Sequence, residues 1–475
     1  MATGISDIDA ILAVLKTFYA KEGVQNLLKR NSPVVKAIND LRVEGKEQAF
    51  SAMYSFGGAV SADYTVALAN AQNQMKNVEF KVTPGQLFSV YPLNAKEVQA
   101  SLTKRGAYMK MAGAKMFAAS EGLRKMLAAA FYGRGYGELA IIGSAVSLTG
   151  GTDVTITLPE DVVIKLGVGT RIAFKTSVSS TTESAKATVK SIDGTSVVIT
   201  PDSGTSYTTN ATDIVCFAGS VDSNGPLLPM GLGGWLPIVN GRVNGGSDTN
   251  WTTYIGTKFF NVTRSADPEA LAGAFYDGRN ETATAKQTKK YAIKNLIKKV
   301  RRNGSKADMI VLNDDDWSEL ADEIESTNTY FTQTSTKSSK KASVGFGDIS
   351  ASFSTNFIEN IYDDPYCPKG QFYVLDKDSV EFWSYTNTDV KDDGVVANEA
   401  GKIMNADVDE SKGHEDAPYK LLIDDYISVQ QGTPTAGGPT SIVGLNLFAS
   451  YAVWNPSVNG AGIFYGATNL VEAAV

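Results

Sequence analysis

The sequence predicts an α+β chain, and three stretches carry that expectation. Residues 95–131 hold no proline and are rich in Ala and Met. Within them Val98, Leu102, Met109, Ala112, Met116, Leu123, Met126 and Leu127 recur at helical spacing. Residues 138–221 are dominated by Ser and Thr, with short β-like runs between Gly turns. Residues 344–466 read mostly as strands, with Pro-bounded turns at Asp364-Pro365 and Cys367-Pro368.

Taken in order, residues 1–43 open with an amphipathic helix. Ile8, Ile11, Leu12, Leu15, Phe18 and Tyr19 form its stripe, and Ser32-Pro33 should break the segment after it. Residues 44–94 hold two extended segments, Ala49–Tyr54 and Glu79–Tyr91, joined through Gly57-Gly58 and a polar middle. A two-stranded hairpin is too thin to be stable alone and needs a neighbouring surface. Residues 95–131 read as one long helix, with Asn94 as N-cap and Gly133 as its stop.

The β runs of 138–221 are Val154–Leu158, Arg171–Lys175, Ala185–Ile192, Ser196–Thr200 and Asp213–Phe217. Strands at that spacing predict a small inserted β-barrel or sandwich. Residues 222–267 read as Gly- and Trp-rich linking loops. From 268 to 440 a mixed segment starts with a helix over 268–302, possible to break near Asp277-Gly278, then a strand Met309–Leu312 and a helix 315–325 capped by Asn313 and three aspartates. Residues 326–343 and 386–417 read as polar loops, and 441–475 as returning strands.

Composition narrows the function classes. Hydrophobic residues make up 43% of 475 and charged residues 20%, enough for about two to four compact units with real cores. The net charge of −7 argues against a dedicated nucleic-acid binder, whose phosphate contacts need a basic surface. Two cysteines, Cys216 and Cys367, offer no metal-ligand spacing and read as reduced, buried thiols. With His414 alone, no histidine metal cluster or Ser-His-Asp triad can form within one subunit. Met1–Asp9 does not read as a signal peptide and no apolar window is long enough to span a membrane, so the expectation is a soluble protein made in a cytoplasm.

Catalytic chemistry is not legible. Gly133-Arg134-Gly135-Tyr136-Gly137 follows a helix and lacks the closing Gly-Lys-Ser/Thr of a phosphate loop, so it reads as a helix-terminating hinge. Asp314-Asp315-Asp316 do not converge on one point and read as helix capping. No cofactor and no enzymatic activity are expected. One constellation stands out, a basic helix holding Lys286, Lys289, Lys290, Lys294, Lys298, Lys299, Arg301 and Arg302. Its cations lie at several helical angles and suit DNA phosphates, an acidic neighbouring subunit, or solvent.

The order of these parts resembles the major capsid proteins of tailed double-stranded DNA phages, the HK-ninety-seven-type capsid fold. Phe80-Lys81-Val82-Thr83-Pro84-Gly85 is similar to the return strand of that family's E-loop. Met309-Ile310-Val311-Leu312-Asn313 with Trp317, and Ile358 to Tyr373, resemble strands and a helix of its axial (A) domain. Leu445 to Tyr465 resembles the strands returning to the peripheral (P) domain. The resemblance implies an N-arm over 1–43, an E-loop over 44–94, a spine helix over 95–137, an insertion over 138–221, linking loops over 222–267, an A domain over 268–440 and a return over 441–475.

It also implies a structural role: self-assembly into hexamers and pentamers of an icosahedral virion shell that packages double-stranded DNA by non-specific contact. The expected partners are a portal, a separate scaffolding protein and a decoration protein, with no membrane. Gly57, Gly58, Gly133 and Gly135 are candidate hinges. Lys76 and Lys81 are candidate cross-linking lysines by position only. An encapsulin-like compartment shell and another virion protein, such as a tail protein, are the alternatives.

Overall fold

The computed structural model describes residues 32–43, 47–55, 60–70, 75–94, 111–239, 241–243, 246–327, 360–384, 428–431, 440–468 and 470–472. The arm helix expected before residue 32, most of the loop expected over 326–343, the loop expected over 386–417, and His414 lie outside them. Ser32 caps a short helix α1 (Pro33–Ala37). Ser32-Pro33 starts this helix, because proline at the first helical position has no needed N–H to lose; the segment Val24–Leu28 that it was expected to break lies outside the described residues.

β1 (Asn39–Arg42) follows, then β2 (Gln48–Ser55), helix α2 (Tyr64–Ala69), β3 (Lys76–Val82) and β4 (Gly85–Asn94). The extended run expected over Glu79–Tyr91 is therefore two strands in different sheets. The division falls where β4 begins against another loop: a Cβ on Gly85 would stand 2.2 Å from Pro229 N. Gln86 N donates to Leu227 O at 2.7 Å at the same crossing.

α3 (Met111–Tyr132) falls within the long helix expected from sequence; residues 95–110 lie outside the described residues, and Asn94 is the last residue of β4. Then come β5 (Glu138–Ile141), β6 (Val154–Thr157), β7 (Arg171–Lys175), β8 (Ala185–Asp193), β9 (Ser196–Pro201) and β10 (Ile214–Phe217). They form one antiparallel six-stranded sheet in the order β5-β10-β7-β8-β9-β6. Alternation explains it: Ala185, Ala187 and Val189 of β8 and Val197 and Ile199 of β9 are buried, with the less buried Lys186, Thr188 and Val198 between them.

Residues 222–267, expected as loops, pack two short strand pairs, a helical turn Leu232–Trp235 and a helix Thr249–Gly256 around the buried Trp235 and Trp251. The helix expected over 268–302 is three elements: α4 (Pro268–Ala272), β11 (Ala274–Asp277) and α5 (Lys289–Arg302). Gly273, at φ +73°, ends the first. β11 is buried throughout and bonds to a strand near residue 460, a long-range pairing that overrides local helix propensity.

The remaining elements are β12 (Met309–Leu312), α6 (Asp314–Thr327), β13 (Asn360–Asp363), β14 (Gln371–Leu375), β15 (Val380–Ser384), β16 (Ser428–Gln431), β17 (Thr440–Val453) and β18 (Gly460–Ile463). One five-stranded sheet runs β11-β18-β14-β12-β13. The other runs β1-β15-β17-β16, with β4 also paired along β17. The strands therefore do not sort at the expected 440/441 boundary. β18 joins the strands of 268–440, and β15 and β16 join β17.

The first of these sheets separates two cores. Ile310, Leu312, Phe372 and Val374 face α5 and α6, while Met309, Val311, Tyr373 and Leu375 enter the main core. The chain is α+β, and no helix among the described residues is long and apolar enough to cross a membrane.

Candidate assembly surfaces

Among the described residues the β2–β3 hairpin is anchored most closely at its root, with Ala52, Tyr54 and Val78 packed part-way against the core. Phe50 and Phe80 are directly opposed in the antiparallel register and their rings stack at 5.3 Å. Both rings reach Trp235, at 6.0 and 5.3 Å, and Phe50 also touches Trp383 and Trp454. Lys81 N donates to Phe260 O at 3.1 Å. Toward the far end burial fades; Met53 and Met75 are half exposed. α2, between the strands, buries no residue against this chain: Tyr64 is 78%, Val66 49% and Leu68 58% exposed. Asp63 caps it through Thr65 N at 2.7 Å, but a six-residue helix has no cooperative stability without a surface to pack on.

A second apolar surface lies on the sheet beside it. Leu87, Leu447 and Ala449 point inward, so period-2 alternation turns Phe88, Val90 and Phe448 outward. Gln86 opposes Phe448 in the register, and Phe88 meets it edge-on at 5.8 Å. Phe88 is 52% and Val90 63% exposed. Fully burying such a side chain from open solvent contributes about 1.5–3 kcal/mol, and these part-covered ones have roughly half of that still to gain. Local sequence reasoning missed this face, because alternation marks two faces and does not say which is inward.

The basic helix divides sharply. Lys289 is buried, with its ammonium 2.5 Å from Asp316 Oδ1 and 2.9 Å from Glu319 Oε2, and it lies over the Phe464 ring. Burial still pushes the Asp316 carboxyl above its usual range against the pull of Lys289. Lys299 is half-buried and donates to Phe275 O at 2.7 Å. Lys286 stands outside the helix in a 3₁₀ turn, 3.7 Å from Glu281. Thr288 caps α5, and Glu323 of α6 accepts from the backbone N–H groups of Lys289 and Lys290.

Lys290, Lys294, Lys298 and Arg302 are exposed, and Arg301 is partly so. The scatter of cations around the helix expected from sequence is thus resolved into buried or bonded members and one exposed stripe about 120° wide. Its three i,i+4 like-charge pairs each cost the helix about 0.2–0.5 kcal/mol. Beside it, α6 packs on the same sheet face through Leu320 and Trp317 and exposes Asp315, Glu319 and Asp322.

Gly57 and Gly58 lie outside the described residues. Gly133 follows α3 directly, and Gly135 has φ +82°, a conformation that favours glycine. Gly231 N donates to Gly133 O, Leu228 N to Gly135 O (both 3.2 Å) and Phe217 N to Gly137 O at 2.9 Å. These bonds brace the connection in this conformation. Lys76 is exposed at the far part of the hairpin and Lys81 half-buried at its root.

Polar groups that sequence did not single out brace the interior. Asp364, Tyr132 and Ser32 share a buried cluster. Arg242 is buried with its guanidinium 4.3 Å from Trp251 and donates to Pro237 O and Gly273 O. Burial and then Arg264 hold it down to about 9. Burial pushes the Cys216 thiol up to about 12, the state of a packed rather than a reactive cysteine. A polar cavity of about 400 Å³ lies between Tyr132, Arg134, Glu138, Lys289, Asp316 and Tyr373. Arg134 Nε and Glu138 Oε2 reach no hydrogen-bond partner among the described residues.

No family model and no curated protein matches the chain. Among solved structures it is similar to a subunit of the cyanophage A-1(L) capsid, with 11% identity, TM-score 0.48, and 94% of this chain and 98% of that one covered. A capsid subunit of an empty GTA particle gives 8% identity and TM-score 0.46, with 98% of each chain covered. The SrpI encapsulin of Synechococcus elongatus gives 7% identity and TM-score 0.41, with 98% of this chain and 100% of that one covered. Likeness of this degree assigns no function.

Proposed function

We propose that this chain is a shell-forming structural subunit, the major capsid protein of a tailed double-stranded DNA phage of the HK-ninety-seven type. The observation that carries the reading is the hairpin anchored at Phe50 and Phe80, whose helix α2 has no buried residue and leaves Tyr64, Val66 and Leu68 exposed. An arm of that kind stores unburied apolar surface and releases free energy only against a neighbour. The exposed face of Phe88, Val90 and Phe448 adds a second unsatisfied surface on the same subunit.

In this reading β2 and β3 are the E-loop, α3 is part of the spine helix, and the six-stranded sheet from β5 to β10 is the inserted domain. The sheet carrying α5 and α6 is the A domain. Heterologous contacts then close five- and six-membered rings of the shell. The chain acts as a building block and takes no cofactor; a portal, a separate scaffolding protein, a decoration protein and packaged DNA complete the virion.

The test is expression of the chain alone and with the scaffold-like product of a neighbouring gene, followed by sedimentation and negative-stain microscopy. Closed shells, tubes or five- and six-membered rings are expected, and their contents separate a genome container from a cargo compartment. A monomer that never assembles, even with scaffold and crowding, overturns the proposal.

A further inference from the structure

Resting on the shell-forming reading, we infer that the exposed basic stripe of α5 docks on the exposed acidic stripe of α6 in the next copy of this chain. Three observations carry it. Lys290, Lys294, Lys298 and Arg302 have no carboxylate within ion-pair distance among the described residues, although their neighbours Lys286 and Lys289 do. Their succession along one side of the helix is self-repelling, and Lys290 stands in the first turn, where the helix dipole disfavours a cation. Folding of the single chain therefore does not account for the stripe.

The complementary surface is on the same layer. Asp315, Glu319 and Asp322 recur at steps of four and three, which places them on one exposed side of α6. Asp322 has no ion pair within the chain among the described residues, and Asp315 and Glu319 remain more than half exposed beside Lys369 and Lys289. The Lys289–Asp316 pair and the Glu323 cap lock α5 and α6 together, so each copy presents a basic stripe and an acidic stripe in fixed relation.

Two different, complementary patches on one rigid unit make a head-to-tail contact, which closes into rings when its rotation permits. Charge of this kind steers encounter and sets register, while apolar surface elsewhere supplies most of the affinity. A basic stripe against DNA would need no matching acidic stripe beside it, and the matching stripe is what favours a second copy.

The experiment uses the full chain with Lys294→Glu and Lys298→Glu together, and a second chain with Asp315→Lys and Asp322→Lys. Each variant alone is expected to lose the assembled peak in sedimentation. An equimolar mixture should regain it, because every contact in an alternating ring is again complementary. Such alternation closes in six-membered rings and is frustrated in five, so six-membered rings, sheets or tubes should replace closed shells.

A single chain carrying all four reversals should assemble like wild type, an outcome that misfolding cannot produce. Assembly of either two-site variant alone at the wild-type level overturns the inference and leaves the shell reading standing. Assembly with loss only of bound double-stranded DNA also overturns it and assigns the stripe to polyanions. A wild-type chain that stays monomeric under the same conditions overturns both.

Discussion

Tyr132, the last residue of α3, donates its phenolic O–H to Asp364 Oδ2 at 2.8 Å, just past the end of β13. Ser32 Oγ donates to the same oxygen at 2.5 Å, and Tyr366 N to Oδ1 at 2.9 Å. One buried carboxylate thus joins the cap of α1, the end of the long helix and the edge of the sheet that carries α5 and α6. A hydrogen bond to a charged group contributes about 1.5–3 kcal/mol. Tyr132→Phe should lower the unfolding free energy of the unassembled chain by about that amount, read from urea denaturation. A change below about 0.5 kcal/mol would show that the cluster carries no stability.

The same carboxylate gives the chain a signed pH dependence. Burial raises the Asp364 pKa in the folded state, more than its three donors lower it. Its folded value therefore lies above its unfolded one. The charged form opposes folding, and this opposition is relieved as pH falls through the folded pKa toward the ordinary carboxylate value. Asp364→Asn should flatten that part of the stability-pH curve of the unassembled chain. Parallel curves for wild type and variant would contradict the assignment.

Phe80 is fully buried at the hairpin root, stacked on Phe50 and packed on Trp235. Phe80→Ala should cost about 3–5 kcal/mol. Limited proteolysis should then cut between β2 and β3 first, before the six-stranded sheet is attacked.

Phe88 and Phe448 lie in an exposed edge-on pair. Replacing both by Ser should shift the melting of the unassembled chain little, because exposed positions contribute within about 0.5 kcal/mol each. Assembly should fail in the same samples. Normal particles would show that this face stays in solvent.

Gly85→Ala places a methyl group within 2.2 Å of backbone at Pro229 and 2.3 Å at Leu228, where no flexible side chain can yield. The start of β4 would have to leave the Gln86–Leu227 hydrogen bond. A loss above about 4 kcal/mol is expected, seen as a collapse of soluble yield. Gly122→Ala, on a helix position with open space around it, is the matched control.

Much of the local structure was legible in the sequence. The alternation around Val197 and Ile199, the apolar run Met309–Leu312 and the capped acidic start of α6 are patterns written within a few residues, and the structure places strands and a helix there. So was the reading of Gly133 as the end of the long helix. Periodicity and capping act over one or two turns, so local sequence suffices to specify them.

Tertiary structure alone decided the rest. Ala274–Asp277 reads locally as helix and is a strand, because pairing with Gly460–Ile463 outweighs propensity. Gly85 separates two strands only because the Leu228–Pro229 backbone passes there. The eight cations near α5 look equivalent in sequence. Burial against Asp316 removes Lys289 from the surface, the Phe275 carbonyl engages Lys299, and Lys290, Lys294 and Lys298 remain facing outward. Which face of β4 is left uncovered was equally undecided until β17 paired with it. The reason is common to all four: the partner lies far along the chain, and burial is a property of the pair.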